Sequence, residues 1–155
     1  MKWVTRERPK IDRIACPWLI QKFIDPNAEF LYVPSDQVMK TVEAKDAIPY
    51  DVPNVELTHV GPFCSFDAFI KKYNLSTDPA LLKLAEIVRA ADTDTLELSD
   101  QAPGLLAITL GLSENIKNDH EMLKVGIQIY EALYTWCCSL EKEKHDWNPN
   151  QIKMS

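Results

Sequence analysis

No stretch of this 155-residue sequence approaches the roughly 20 consecutive apolar residues of a membrane-spanning helix. The charged run at the N-terminus is followed by no apolar core of a secretory leader, so the expected location is the cytoplasm. Positive charge is scarce as well. Lys and Arg number 17 against 23 Asp and Glu, giving a net charge of −6. An autonomous DNA- or RNA-binding module needs a basic face to neutralise phosphates, and direct nucleic-acid binding is therefore not expected. The four cysteines include no CxxC pair, which removes zinc ribbons and thioredoxin-type redox motifs. Free thiols are expected in a cytosolic chain of this size. A phosphatase- or arsenate-reductase-type Cys-x5-Arg loop is also missing, because Lys22 stands where the arginine after Cys16 would be. Neither internal repeats nor low-complexity segments occur.

What remains is a composition of 46% hydrophobic and 26% charged residues, ordinary for a globular protein. The pattern predicts one domain over residues 1–138 and a polar tail over 139–155. "KWVT" at 2–5 and "EFLYV" at 29–33 predict strands, and "VELTHV" at 55–60 predicts a third, with Val55, Leu57 and His59 on one face. Between the first two lies an apolar helical stretch to about Ile24. Either Asp12 caps it and Pro17 kinks its first turns, or it begins at Pro17 with Cys16 as the cap. Ser35 and Asp36 open a helix running to about Asp46, and Ser65 caps a short helix carrying Phe66, Phe69, Ile70 and Tyr73. Asp78-Pro79 is a helix start. A helix over about 102–110 is expected to end at Gly111, and a last one to begin near Asp119 with Met122, Gly126, Ile129, Leu133 and Trp136 along one seam. Adjacent Cys137 and Cys138 fall late in that pattern, where core packing is the expectation for at least one of them.

The predicted fold class is thus α/β: a small three-stranded, mainly parallel sheet at the N-terminal end, packed by a predominantly helical C-terminal half. Open α/β sheets bind ligands beyond the carboxyl ends of their strands. That rule gathers the loops after all three strands at one edge. The first carries Arg6, Arg8, Lys10 and Arg13 ahead of Cys16, a concentration of donors suited to an oxyanion near a helix start. The alternative is a solvated loop paired with Glu7 and Asp12. Cys16 beside Arg13 has the setting of an activated thiol, or else of a buried small residue. "HVGPFCSFD" brings His59, Cys64 and Asp67 together around a turn, and "ADTD" places Asp92 and Asp94 after a helix. Imidazole and carboxylates suit Zn, Fe or Mn, and a thiolate would bias the site toward Zn or Cu. The candidate metal ligands are therefore His59, Asp67, Asp92 and Asp94, and the candidate catalytic thiols are Cys16 and Cys64. Acidic residues in "ADTD" and "DHE" (119–121) have the plainer uses of turn and helix-start residues.

The segments "KWVTRERPKIDRIACPWLIQKFIDPNAEFLYVP", "ELTHVGPFCSFDAFIKKY", "LAEIVRAADTD" and "DHEMLKVGIQIYEALYTWC" together resemble the C-terminal domain of the ChrB chromate-resistance family. Arg6, Lys10, Asp12, Arg13, Cys16, Trp18, His59, Gly61, Cys64, Asp67 and Asp92 match its motif positions. Asp67 stands where relatives often carry glutamate, which keeps the carboxylate and shortens its reach. Members of the family accompany chromate transporters, and some act as chromate-responsive transcriptional regulators. The longer regulators have an additional N-terminal portion, whereas this sequence starts at the shared domain, so a DNA-binding role is not carried over. The resemblance implies a stress-response domain. Three readings stand: a module binding a chromate- or sulfate-like anion or a divalent metal at the sheet's carboxyl edge; a metal- or thiol-dependent enzyme using His59, Asp67, Asp92 and Cys16 or Cys64; and a protein-interaction domain.

Overall fold

The computed structural model describes residues 1–146. Residues 139–146 of the expected polar tail are exposed, and 147–155 lie outside the described residues. Three strands, β1 (Lys2–Arg6), β2 (Glu29–Val33) and β3 (Ile48–Pro49), form a parallel sheet in the order β2-β1-β3. Its central strand is buried on both faces, as parallel strands between two layers are. Trp3 faces the main core, its ring 5.9 Å from that of Phe69. Val4 faces a smaller cluster of Val38, Ala47 and Val52 under α2 (Val38–Lys45). The expected α/β class therefore holds, with helices filling the C-terminal part.

The third strand lies earlier than the sequence pattern places it. Val4 pairs with Pro49, whose ring has no N–H to continue a ladder, and the backbone then turns at Asp51 (φ 53°) and Asn54 (φ 65°). Residues 55–60 form a loop. Its alternation survives only as anchors: Leu57 is buried in the main core and Val55 packs on the smaller cluster.

Helix α1 (Asp12–Leu19) starts at Asp12 and widens into a π-helical turn over Ile20–Ile24. Pro17 sits inside it. The bond that residue 17 would donate to the carbonyl of Arg13 is missing, and the Tyr32 hydroxyl on β2 donates to that carbonyl instead, at 2.8 Å. The freed acceptor is thereby satisfied from the neighbouring strand. The remaining helices are α3 (Ser65–Lys72), α4 (Pro79–Asp92), α5 (Ala102–Asn115) and α6 (Asp119–Thr135), the last followed by a π-helical turn over Trp136–Leu140. Asp78 caps α4 as expected, accepting from the N–H groups of Ala80 and Leu81 ahead of Pro79 at the first position. On α6, Met122 and Gly126 are buried as the seam predicts. Tyr130 and Cys137 supply its deeper contacts farther on, with Ile129, Leu133 and Trp136 at the core margin.

Helix α5 runs through Gly111 to Asn115 instead of stopping before it. The reason is Arg8. Its guanidinium donates to the carbonyls of Ser113 (2.6 Å), Lys117 (2.8 Å) and Ile116 (3.2 Å), satisfying acceptors that a helix C-terminus otherwise leaves open. A Cβ built on Gly111 meets nothing within 4 Å. Gly111→Ala is therefore expected to stabilise the protein by about 0.5–1 kcal/mol, the helix-propensity difference, read as a shifted urea midpoint.

Candidate metal centre

Four side chains from four separate segments converge at the carboxyl edge of the sheet. Asp12 opens α1, Asp51 follows β3, His59 comes from the loop between β3 and α3, and Asp92 is the last residue of α4. Their donor atoms all lie within 4.8 Å of one another. His59 Nε2 is 2.9 Å from Asp92 Oδ2, 3.3 Å from Asp51 Oδ1 and 3.6 Å from Asp12 Oδ2.

Local rules are broken to bring these groups together. Ile11, a β-branched residue, has φ 42°, an outlier conformation for such a side chain, and it turns α1 so that Asp12 enters the interior. Asp51 has φ 53°. Asp92 puts a carboxylate at a helix C-terminus, where the dipole disfavours negative charge. Strain and adverse charge of this kind concentrate where a site requires them.

The surroundings hold the carboxylates in place. The Ser65 N–H at the start of α3 donates to Asp12 Oδ2 at 2.7 Å, and the Ser65 hydroxyl donates to Asp51 Oδ1 at 2.7 Å. Ser65 was expected to cap α3; Cys64 occupies the cap, and Ser65 serves the site from the first helical position. Asp12 is fully buried, and its Oδ1 has no hydrogen-bond partner among the described residues. Burial, followed by the charges of Asp92 and Asp51, pushes its carboxyl pKa well above the ordinary value. Burial and then Asp51 raise Asp92 too. Hydrogen bonding to Asp51 is the main reason that His59 is raised. The cluster is crowded with acid and short of a cation.

The arrangement could hold a divalent ion. Carboxylate oxygen and imidazole nitrogen donors about 2.0–2.2 Å from a metal stand roughly 3–3.5 Å from one another, and the three contacts around Nε2 span 2.9–3.6 Å. Three oxygens and one nitrogen form a set for Zn, Fe or Mn.

Of the sequence candidates, His59 and Asp92 belong to the cluster and two others lie elsewhere. Asp67 takes a bidentate hold of Arg89 (2.7 and 2.9 Å) and caps the backbone of Cys64 at 3.0 Å. Asp94 is an exposed turn residue with φ 58°. Asp51 is not among the sequence candidates. Asp12 enters there as one of two alternative helix caps, as a charge partner for the basic loop and as a family motif position, but not as a metal ligand. No local signal marks Asp51, which follows a two-residue strand ending in proline.

The basic run divides. Arg8 holds the end of α5. Arg13 donates to the carbonyls of Arg6 (3.2 Å) and Glu7 (2.9 Å), with Nε 3.6 Å from Asp51 Oδ2. Arg6 lies 3.9 Å from the same oxygen. Lys10 is half-buried in the loop ahead of α1. Cys16 and Cys64 are both fully buried, and burial raises both thiols, Cys16 well above its ordinary value; a reactive cysteine has the opposite setting. Only Cys138 of the four is exposed. A disulfide reagent such as DTNB is therefore expected to label one thiol quickly in the native protein and the other three only on unfolding. Rapid labelling of Cys16 or Cys64 would restore the thiol-chemistry reading.

Among the described residues, no helix is long and apolar enough to cross a membrane. The chain is 31% identical over 141 residues to Protein ChrB of Cupriavidus metallidurans, an alignment that covers 91% of this chain and 42% of that protein. It thus spans less than half of the relative's length. No solved structure matches it. The family model described as "ChrB, C-terminal domain" matches residues 3–137, and that span contains all four clustered side chains. The chain belongs to the ChrB C-terminal domain family.

Proposed function

We propose that this domain binds one divalent metal ion (Zn, Fe or Mn) through Asp12, Asp51, His59 and Asp92, and that metal binding is its part in a chromate-resistance response. The observation that carries this reading is Asp12: a fully buried carboxylate with an unpartnered oxygen, set beside two more carboxylates and an imidazole at ligand spacing. A buried carboxylate without a cation is costly, and a divalent ion offsets the repulsion of all three at once. The ion would draw on hard and borderline donors, and it would tie α1, α4 and the His59 loop to the sheet edge.

Elemental analysis of untagged protein, wild type beside His59→Ala, tests the proposal. Near-stoichiometric Zn, Fe or Mn in the wild type and little in the variant is the expected result. Wild-type protein that is metal-free as purified, and stays so after incubation with each of these ions, would overturn it. Metal binding also stabilises the fold by mass action, about 2.7 kcal/mol at a free concentration 100-fold above Kd. A rise in melting temperature that is absent in His59→Ala is the matching stability readout.

A further inference from the structure

We infer that the metal-loaded site takes a small oxyanion as an additional ligand, and that Arg6 receives it. This rests on the metal-binding reading above.

Arg6 differs from its two arginine neighbours. The Arg8 guanidinium is committed to the end of α5. That of Arg13 is committed to the carbonyls of residues 6 and 7 and faces Asp51. Arg6 makes no side-chain hydrogen bond among the described residues; its contact with Asp51 is 3.9 Å, too long for one. Its Nε is buried and unpartnered, while the side chain as a whole is 42% exposed. The enclosed Nε is out of an incoming ligand's reach. The terminal nitrogens of this partly exposed side chain have no hydrogen-bond acceptor among the described residues either, and that uncommitted pair beside Asp51 is a place for one. The guanidinium fork matches the paired oxygens of a carboxylate, phosphate or sulfate.

The second observation is the charge of the centre. Metal ligation needs the three carboxylates ionised and His59 neutral, so the loaded centre sums three negative charges against Arg6, Arg13 and a divalent ion. The net +1 attracts an anion, and the ion offers it a ligand position that the metal-free centre lacks. His59 and Arg6, the two most exposed members of the group (41% and 42%), both lie against Asp51, His59 at 3.3 Å and Arg6 at 3.9 Å. Four protein donors also leave a position free on any ion that expands beyond four-coordination. Metal binding and anion binding are therefore coupled, each tightening the other by the same factor.

The test titrates metal-free protein with Mn2+, followed by the EPR signal of the free ion, and with Zn2+, followed by competition with a chromophoric chelator. Each titration is run in chloride and in sulfate at equal ionic strength. The expected result is at least threefold tighter metal binding in sulfate, and the same metal affinity in both salts for Arg6→Gln, which still binds metal. Arg6→Lys, which keeps the charge and loses the fork, is expected to retain only part of the effect. Metal binding that is indifferent to sulfate in the wild type would overturn this inference and leave the metal reading standing. A sulfate effect that persists in Arg6→Gln would overturn the role of Arg6. Failure to bind Mn2+, Zn2+ and, in an anaerobic titration, Fe2+ would overturn the metal reading, and this inference with it.

Discussion

Asp12→Asn is expected to abolish metal binding and, in the metal-free protein, to raise stability by about 1–3 kcal/mol, the cost of an uncompensated buried polar group. Both effects follow from one geometry. Asp12 is fully buried, one oxygen accepts the Ser65 N–H at 2.7 Å, and the other has no partner. Asparagine keeps the acceptor toward Ser65 and turns an NH2 group toward Asp51, Asp92 and His59, replacing repulsion by donation. The negative charge that attracts the ion is gone. Burial and the neighbouring carboxylates raise the folded pKa of Asp12. Between the unfolded value of about 3.9 and that raised value, the folded state binds more protons than the unfolded one, so metal-free wild-type stability falls as pH rises through the window. Asp12→Asn lacks this slope and gains most at the upper end of it. Urea titrations in chelator at several pH values, beside elemental analysis, measure both halves. A variant that loses stability while it retains metal would make Asp12 a structural residue.

The sheet was readable because its signals are local. "KWVT" and "EFLYV" are short β-rich runs with a helix between them, and such an order implies a parallel crossover. The start of α4 was equally plain, since Asp78 and Pro79 carry the cap and the first-turn residue in sequence. The third strand was not readable. β3 is two residues long, ends in a proline, and is held by what β1 offers it, whereas the better alternating pattern at 55–60 serves as loop anchors. The end of α5 depended on Arg8, more than a hundred residues away in sequence. No local rule at Gly111 contains that information.

The candidate site shows the same division. His59 and Asp92 drew attention through residue type and loop position. Asp51 lies in the proline-flanked "PYDVP", which reads as a connection, and only the topology reveals that this connection leaves the sheet at its ligand-binding edge. Asp12 looked like a cap because an acidic residue at a helix start usually is one; the positive φ of Ile11 redirects it inward. Asp67 looked like a ligand because it neighbours His59 and Cys64. Its position three residues after the cap gave it a different use, closing a capping box with Cys64 and clamping Arg89.

Gly126→Leu is expected to cost more than about 3 kcal/mol, at the upper end of overpacking effects, and to weaken metal binding without touching a ligand. Gly126 lies on α6 where that helix meets α1. A Cβ built on it falls 2.5 Å from Cγ2 and 3.2 Å from Cδ1 of Ile14, distances at which something must move. Ile14 is itself buried, two residues along α1 from Asp12. Any retreat of α1 from α6 therefore displaces Asp12 relative to Asp51 and Asp92. Gly126→Ala is the milder form, in which a helix-propensity gain of up to about 1 kcal/mol offsets part of the clash. Ile14→Leu identifies the contact, because leucine is not branched at Cβ and lacks the Cγ2 that lies closest. Combined with Gly126→Ala it is expected to recover most of the loss, giving a favourable coupling on the order of 1 kcal/mol in a double-mutant cycle, with metal affinity recovering in parallel. Gly126→Ala as stable as wild type would mean that α1 yields without cost. Coupling near zero would place the strain elsewhere on the α1–α6 contact, and the link from packing to the metal centre would then run through a residue other than Ile14.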